Sequence, residues 1–400
     1  MKEYYFDYAA TTPVDSQVFK EMEPYLRDKY GNPSSIYNKG QEARLAIEGA
    51  REKIANILGS DTSEIIFTSC ATESNNLAIK GVYFSRYLKN QGNHIITSPI
   101  EHHSVLDTIK YLKDNFNADV TELPVSTAGI IDPEDVKKSI KDSTVLVSIM
   151  YANIEIGTIE PIEEIAYIIK DINKIREAKN LPPVYFHTDA VQGVQYLDSR
   201  VDKLGINFLS ITGHKFYAPK GVGVLYVKRG SIFLPQQNGG GQEKHRRAGT
   251  ENVANIVGMA KALELAIGKK TKEVERLRLL RDKLIEQVLN IPGSVLTGDN
   301  EKRLPHIASF VFKNVEGESL LLKLNTKGFY VSTGSACASG SLQPSHVLTA
   351  VGLKPEMTHS SIRISMGQYT TEDDVNAFVK ILPDIIDDLR GISSGVLEND

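Results

Sequence analysis

From residue 62 to residue 227 two hydrophobic periods take turns along the chain. Short β-branched and aliphatic runs mark strands over 64–69, 94–98, 119–124, 144–150, 184–189, 208–212 and 222–227. Between them apolar residues recur every three or four positions over 74–87, 105–115 and 161–177, and more weakly over 197–205, the period of an amphipathic helix. This alternation predicts an α/β fold in which helices cover a mostly parallel seven-stranded sheet. Ligands of such sheets lie beyond the carboxyl ends of the strands, and the polar clusters of this chain fall at those ends.

Past the glycine-rich stretch 238–241 the pattern changes to one long charged helix, 253–289. A second alternating region follows at 308–313 and 330–332, with a closing helix near 372–389, which reads as a smaller α+β domain. The expected division is a large domain over 15–258 and a small domain made of 1–14 with 259–400; the last residues, 393–400, are expected to be disordered. A chain of 400 residues is long enough for two cores. A formal charge of −4 leaves no basic field for nucleic acid or an anionic membrane surface, so a small-molecule substrate is expected. No run approaches the roughly 20 apolar residues of a membrane span, and the first residues lack the apolar core of a signal peptide, so a cytoplasmic protein is expected. Two cysteines cannot build a disulfide framework and have no partners at zinc-ligand spacing, so no metal is expected and each cysteine stands on its own.

In SITGHKFYAPKGVGVLY, Ser210, Thr212, His214 and Lys215 follow a predicted strand. A strand-end lysine beside a hydroxyl and an imidazole suits a Schiff base to a cofactor aldehyde, because partial burial keeps the amine nucleophilic; a surface lysine is the plain alternative. The preceding strand ends in VYFHTDAVQG, with Asp189 at its end and Gln192 one turn on. A carboxylate there would hold the proton on the ring nitrogen of pyridoxal phosphate (PLP), which that cofactor needs as an electron sink, although a structural cap would use the same aspartate. Asp189 followed by the lysine strand favours PLP.

FTSCATESNNLAIKG leads from a strand into a helix, so the amides of Ala71 and Thr72 would meet an anion such as the cofactor phosphate; an ordinary N-cap with Glu73 in the first turn fits the same residues. RRAGTEN, 246–252, offers a second phosphate candidate or a solvated loop. In EHHSVLD, His102 and His103 point different ways, so at most one faces a cofactor ring.

Cys337 stands in VSTGSACASGSLQPSH, a run of small polar residues of the kind that lets a thiolate move between a buried site and a partner; an incidental small residue is the alternative. Cys70, at a strand exit, reads as a small packed residue. Arg363 in HSSIRISMG suits capture of an amino-acid carboxylate, or a structural ion pair.

Taken together these stretches closely resemble the cysteine desulfurases, a branch of the class V aminotransferases with the fold type I architecture of PLP enzymes. The resemblance covers nearly the whole chain, through FDYAATTP, YGNPSS, TSCATESNN, EHHSVLD, HTDAVQ, TGHKFYAPKGVG, RAGTEN, STGSACASG and SSIRIS in that order. It implies that Lys215 carries PLP, Asp189 pairs with the ring nitrogen, Gln192 contacts the ring hydroxyl and His102 stacks on the ring. Ala71, Thr72, Thr212 and His214 would hold the phosphate, joined by Thr250 from the second subunit of a homodimer. Asn32 and Arg363 would bind the carboxylate of L-cysteine, and Cys337 would take its sulfur as a persulfide, leaving alanine. A sulfur-acceptor or scaffold protein would then receive the sulfur for iron-sulfur cluster assembly, tRNA thiolation or DNA phosphorothioation.

The chain departs from the family pattern at Cys70, where relatives place glycine, so a turn favoured by glycine is expected to accommodate a side chain. Ile154 replaces an asparagine amide, Ala218 a glycine and Tyr37 a histidine. Selenocysteine lyase or aminotransferase chemistry, and a near-inactive scaffold, are the rival readings.

Overall fold

The computed structural model describes residues 2–334 and 344–397. After a short strand, β1 (Tyr4–Tyr5), helix α1 (Ser16–Arg27) starts where the Asp15 carboxylate accepts from the Gln17 amide, and α2 (Asn38–Leu58) stops at Gly59 in the left-handed region, φ 68°. The alternating region follows in the predicted order. It comprises β2 (Ile65–Thr68), α3 (Ala71–Tyr87), β3 (His94–Thr97), α4 (His103–Phe116), β4 (Asp119–Glu122) and α5 (Pro133–Ser139). It continues through β5 (Thr144–Ser148), α6 (Ile162–Ala178), β6 (Tyr185–Asp189), α7 (Val201–Leu204), β7 (Phe208–Thr212) and β8 (Gly223–Val227).

Seven strands form one sheet in the order β2-β8-β7-β6-β5-β3-β4. All neighbours are parallel except β8, which runs antiparallel to both β2 and β7. Strands β5 to β8 are buried along their whole length, because helices cover both faces. The one imidazole among them, His187, is satisfied between the hydroxyls of Ser148 (2.8 Å) and Ser210 (3.1 Å) on the adjoining strands. Burial pushes its pKa down to about 3, so it stays neutral.

Helix α8 (Val253–Leu289), roughly 55 Å long at 1.5 Å per residue, runs from one core to the other. Ala254, Ile256, Met259 and Leu263 pack with the large sheet, whereas Leu277, Leu284 and Val288 pack in a second core. The boundary expected near residue 258 therefore falls inside a continuous helix. The remaining elements are β9 (Ser294–Leu296), β10 (Ile307–Phe312), α9 (Gly317–Thr326), β11 (Phe329–Tyr330), α10 (His346–Ala350), α11 (Pro355–Thr358), β12 (Ser361–Ser365) and α12 (Glu372–Leu397). Strands β12, β10 and β9 form an antiparallel sheet, and β1 pairs in parallel with β11, placing Phe6 in the second core. Helix α12 reaches Leu397, well into the tail expected to be disordered.

Candidate active site

The carboxyl ends of β6 and β7 and the start of α3 surround a cavity of about 220 Å³. Ala71, Thr72, His102, Asp189, Gln192, Thr212, His214 and Lys215 all line it, so eight residues singled out from separate sequence motifs converge on one space.

Lys215 is 9% exposed, and its ammonium donates to the carbonyls of Ala9 and Ala10 at 2.7 Å each. The 213–217 turn is held in place by the N-terminal segment. The Thr12 amide donates to His214 O (3.0 Å), the Tyr217 amide to Thr12 Oγ1 (2.8 Å), and the Asp15 amide to Tyr217 O (3.0 Å). Tyr217 takes the left-handed conformation, φ 68°, a strained choice for an aromatic residue. Its hydroxyl accepts from the Gln368 amide at 2.7 Å, and its ring is buried. The strain therefore sits one residue before Ala218, which explains why alanine is accommodated there. Gly213 makes room for it, since a Cβ at Gly213 would lie 2.8 Å from that of Ala218.

Asp189 is anchored on both oxygens. Oδ1 accepts from the Val191 amide (3.0 Å) and Oδ2 from Asn75 Nδ2 (2.7 Å). Asn75 also donates to Ser104 Oγ (2.8 Å), and both the hydroxyl and the amide of Ser104 contact His102 Nδ1, at 2.8 and 3.1 Å. A buried polar chain thus links Asp189 to His102 through α3. Because Nδ1 accepts from the Ser104 amide, the neutral His102 ring carries its proton on Nε2. Burial lowers the His102 pKa; the Lys215 and His103 charges add to this, while Asp189 opposes it. His103 points away, toward Asp107 (3.5 Å) and the His346 ring, so only one of the adjacent histidines enters the cavity. His214, whose Nδ1 meets Thr11 Oγ1 at 3.2 Å, is pushed down to about 4 by burial and by Lys215 and Lys220.

Helix α3 begins without a side-chain cap on its first amides, leaving the Ala71 end open toward the cavity. Glu73 folds back instead to the Ser69 amide (2.7 Å) and to Arg247 (2.7 Å). The ordinary-cap reading of this turn does not hold. Nor does the expected strain at Cys70: its backbone is extended, φ −173°, where any residue fits. The tight position is its neighbour Gly223, where a Cβ would fall 2.8 Å from the Cys70 carbonyl carbon.

Other candidates lie elsewhere. Arg363 on β12 is buried and donates to Asp7 Oδ1 at 2.6 Å and to Ile154 O at 3.3 Å; its Nε has no hydrogen-bond partner among the described residues. Since Ile154 lines the cavity, Arg363 sits just behind the cavity wall, held by an aspartate from the FDYAATTP motif. Asn32 is exposed and accepts from the Ser34 amide (2.9 Å), and Thr250 is exposed; neither lines the cavity. Tyr37 is an exposed N-cap of α2. Cys337 lies outside the described residues. Reading the sequence missed Asn75, Ser104 and Asp7; the one available signal was the spacing of Asn75 four residues after Ala71, which puts both on one face of α3.

This cavity matches a known architecture. The family model for class-V aminotransferases matches residues 4–378. A cysteine desulfurase IscS from Dictyoglomus turgidum is 51% identical over 98% of this chain and 96% of its own length. The chain belongs to the cysteine desulfurases of the class-V aminotransferase family. A second family member, the IscS of Methanosarcina thermophila, is 48% identical over 98% of this chain and 94% of its own. Among solved structures, a NifS-like protein superposes with a TM-score of 0.89 at 40% identity, covering 96% of this chain and 100% of that one. SspA in complex with cysteine superposes at 0.79 with 37% identity, covering 92% and 100%. Cysteine desulfurases are PLP enzymes acting on L-cysteine, and so is this one. Among the described residues no group of His, Cys, Asp or Glu is placed to hold a metal, and no helix is long and apolar enough to cross a membrane.

Proposed function

We propose that Cys337 is the sulfur acceptor of this desulfurase and that the cavity around Lys215 is its cofactor site. The observation that carries the reading is the convergence of an ammonium, an anchored carboxylate and an open helix N-terminus on one cavity. These groups fit PLP: Lys215 for its aldehyde, Asp189 for its ring nitrogen, and Ala71, Thr72, Thr212 and His214 for its phosphate. Gln192, which donates to Ala9 O at 2.9 Å, stands beside the lysine for the ring hydroxyl. Bound there, PLP supplies the electron sink that lets a proton leave the substrate Cα and the Cβ–S bond break.

The chain supplies the rest. Asn75 and the Val191 amide fix the Asp189 carboxylate, which would hold the proton on the ring nitrogen, and neutral His102 would pack against the ring. The Lys215 amine, held at the cavity wall by the Ala9 and Ala10 carbonyls, would be the base that moves the Cα proton. Arg363 meets the substrate carboxylate, with Asn32 assisting. The Cys337 thiolate attacks the substrate Sγ: the S–S bond forms, the C–S bond breaks, and its electron pair stays on carbon, which leaves protonated as the alanine methyl group. No external oxidant is needed, since the enzyme thiol and cysteine together equal the persulfide and alanine. The protein works in the cytoplasm as a homodimer, with Thr250 of one copy completing the phosphate site of the other, and passes its sulfur to an acceptor protein.

The test is the visible spectrum of the purified protein before and after L-cysteine, with alanine and, under reductant, sulfide quantified together. Absorbance that responds to cysteine with equal yields of both products supports the reading. A keto acid product, or protein that cannot be loaded with PLP, refutes it.

A further inference from the structure

Glu155 lies in the turn after β5, next to the cavity-lining Ile154, and is 3% exposed. Its Oε2 accepts from the Ser345 hydroxyl, 190 residues away, at 2.8 Å. Its Oε1 presses on the backbone of Gly334, where a Cβ would lie 2.0 Å from it, and has no hydrogen-bond partner among the described residues. Gly334 and Ser345 flank the stretch of sequence that contains Cys337. One buried carboxyl therefore touches the chain on both sides of it.

Both ends are also fixed to the rest of the protein. The Gly334 amide donates to Ser361 Oγ (3.2 Å), and Ser332 and Arg363 exchange two backbone hydrogen bonds (3.2 and 2.7 Å). Ser345 caps α10 by accepting from the Leu348 amide at 3.2 Å. Glu155 in turn stands on a rigid base: its amide donates to Asn153 Oδ1 (2.8 Å), whose Nδ2 donates to Ile100 O (2.9 Å). No part of the cofactor chemistry described above uses this carboxyl.

We propose that Glu155 is a positioning residue for sulfur transfer, bonding one end of the Cys337 stretch at Ser345 and packing against the other at Gly334, beside the turn that walls the cofactor cavity. The inference rests on Cys337 being the sulfur acceptor. Fixing Gly334 and Ser345 relative to the cavity fixes where the Cys337 stretch leaves and rejoins the fold, and small displacements of a reacting group cost most rate. Burial pushes the Glu155 pKa up to about 8, against the Ser345 hydroxyl and the Arg363 charge, so near neutral pH the carboxyl is largely protonated and an amide is its close mimic.

The test uses the PLP-loaded full chain and reads three signals: the cofactor absorbance and its response to L-cysteine, the rate of persulfide formation on Cys337, and the rate of Cys337 alkylation by iodoacetamide without substrate. Glu155→Ala is expected to slow persulfide formation by ~10- to 100-fold with KM and the cofactor response unchanged, and to speed alkylation. Glu155→Gln is expected to recover persulfide formation to within about threefold of the parent. Ser345→Ala, which removes one hydroxyl, is expected to lie between them and carries the test if Glu155→Ala does not fold. Persulfide formation at the parental rate in Glu155→Ala, or in Ser345→Ala where that replaces it, overturns the proposal. So does loss of the cofactor response in step with the persulfide, which marks a general structural role. Absence of persulfide on Cys337 in the parent protein would instead refute the sulfur-acceptor reading beneath it.

Discussion

Around Lys215 the polar groups sit on turns that directly follow strands of a single sheet, each inside the motif that announces it. Around Arg363 and Glu155 no single sheet carries the groups, and side chains bond between separate segments: Asp7 with Arg363 at a separation of 356 residues, Ile154 with Arg363 at 209, Glu155 with Ser345 at 190. The first region is a pocket built on one sheet and clamped by the N-terminal segment, which meets Lys215 from 206 residues away. The second is a seam where the N-terminal segment, the turn after β5, β12 and the ends of the Cys337 stretch meet across two cores. A desulfurase needs both, since the electron sink must be held still while the sulfur acceptor has to reach the substrate and then a partner.

The comparison is broken most directly at Lys215. On the roles proposed for it, covalent anchor and proton-moving amine, Lys215→Ala should lower kcat by about 10³-fold or more, with PLP retained by the remaining cavity residues. Turnover together with an absorbance spectrum checks this. The largest expected effect on the other side belongs to Arg363. Arg363→Ala should cut kcat/KM for L-cysteine by roughly 30- to 150-fold, the worth of a lost charge-assisted contact of about 2–3 kcal/mol, mainly through KM. A fall in melting temperature with KM unchanged would mean that the arginine serves only Asp7.

Asn75→Ala tests the link from Asp189 to His102. It leaves two buried acceptors without their donor and should cost about 1–3 kcal/mol in unfolding experiments, together with a visible change in the cofactor spectrum. The smallest effect is expected at Cys70. Since its backbone is extended, Cys70→Gly relieves no strain and should change stability by no more than about 1 kcal/mol, with parental kinetics. A markedly faster glycine variant would show that the side chain obstructs the cavity mouth.

The same contrast governs how much of the molecule its sequence discloses. Strands buried on both faces leave contiguous apolar runs, so six strands of the sheet were legible nearly residue by residue, as was the helix from Val253 to Leu289; the partly exposed edge strand β4, DVTE, was legible by its β-branched residues. The residues that line the cavity were legible because strand ends and helix starts fix where a side chain stands relative to a parallel sheet. Asn75 and Ser104 escaped because amide and hydroxyl side chains on a helix look like surface residues until the neighbouring helix is in place. Asp7 and Glu155 escaped for a different reason: their partners lie hundreds of residues away, and nothing local distinguishes them from any acidic residue in a turn. The strain expected at Cys70 was misplaced, since it was inferred from the absence of glycine rather than from φ; the left-handed residue of this site is Tyr217.

The most direct test of the division between the two halves is Cys337→Ala in the PLP-loaded protein, followed by absorbance and persulfide assay after adding L-cysteine. The account predicts an unchanged cofactor band that still responds to cysteine, with no persulfide and no sulfide released. Sulfide release at the parental rate, or loss of the response to cysteine, would contradict it.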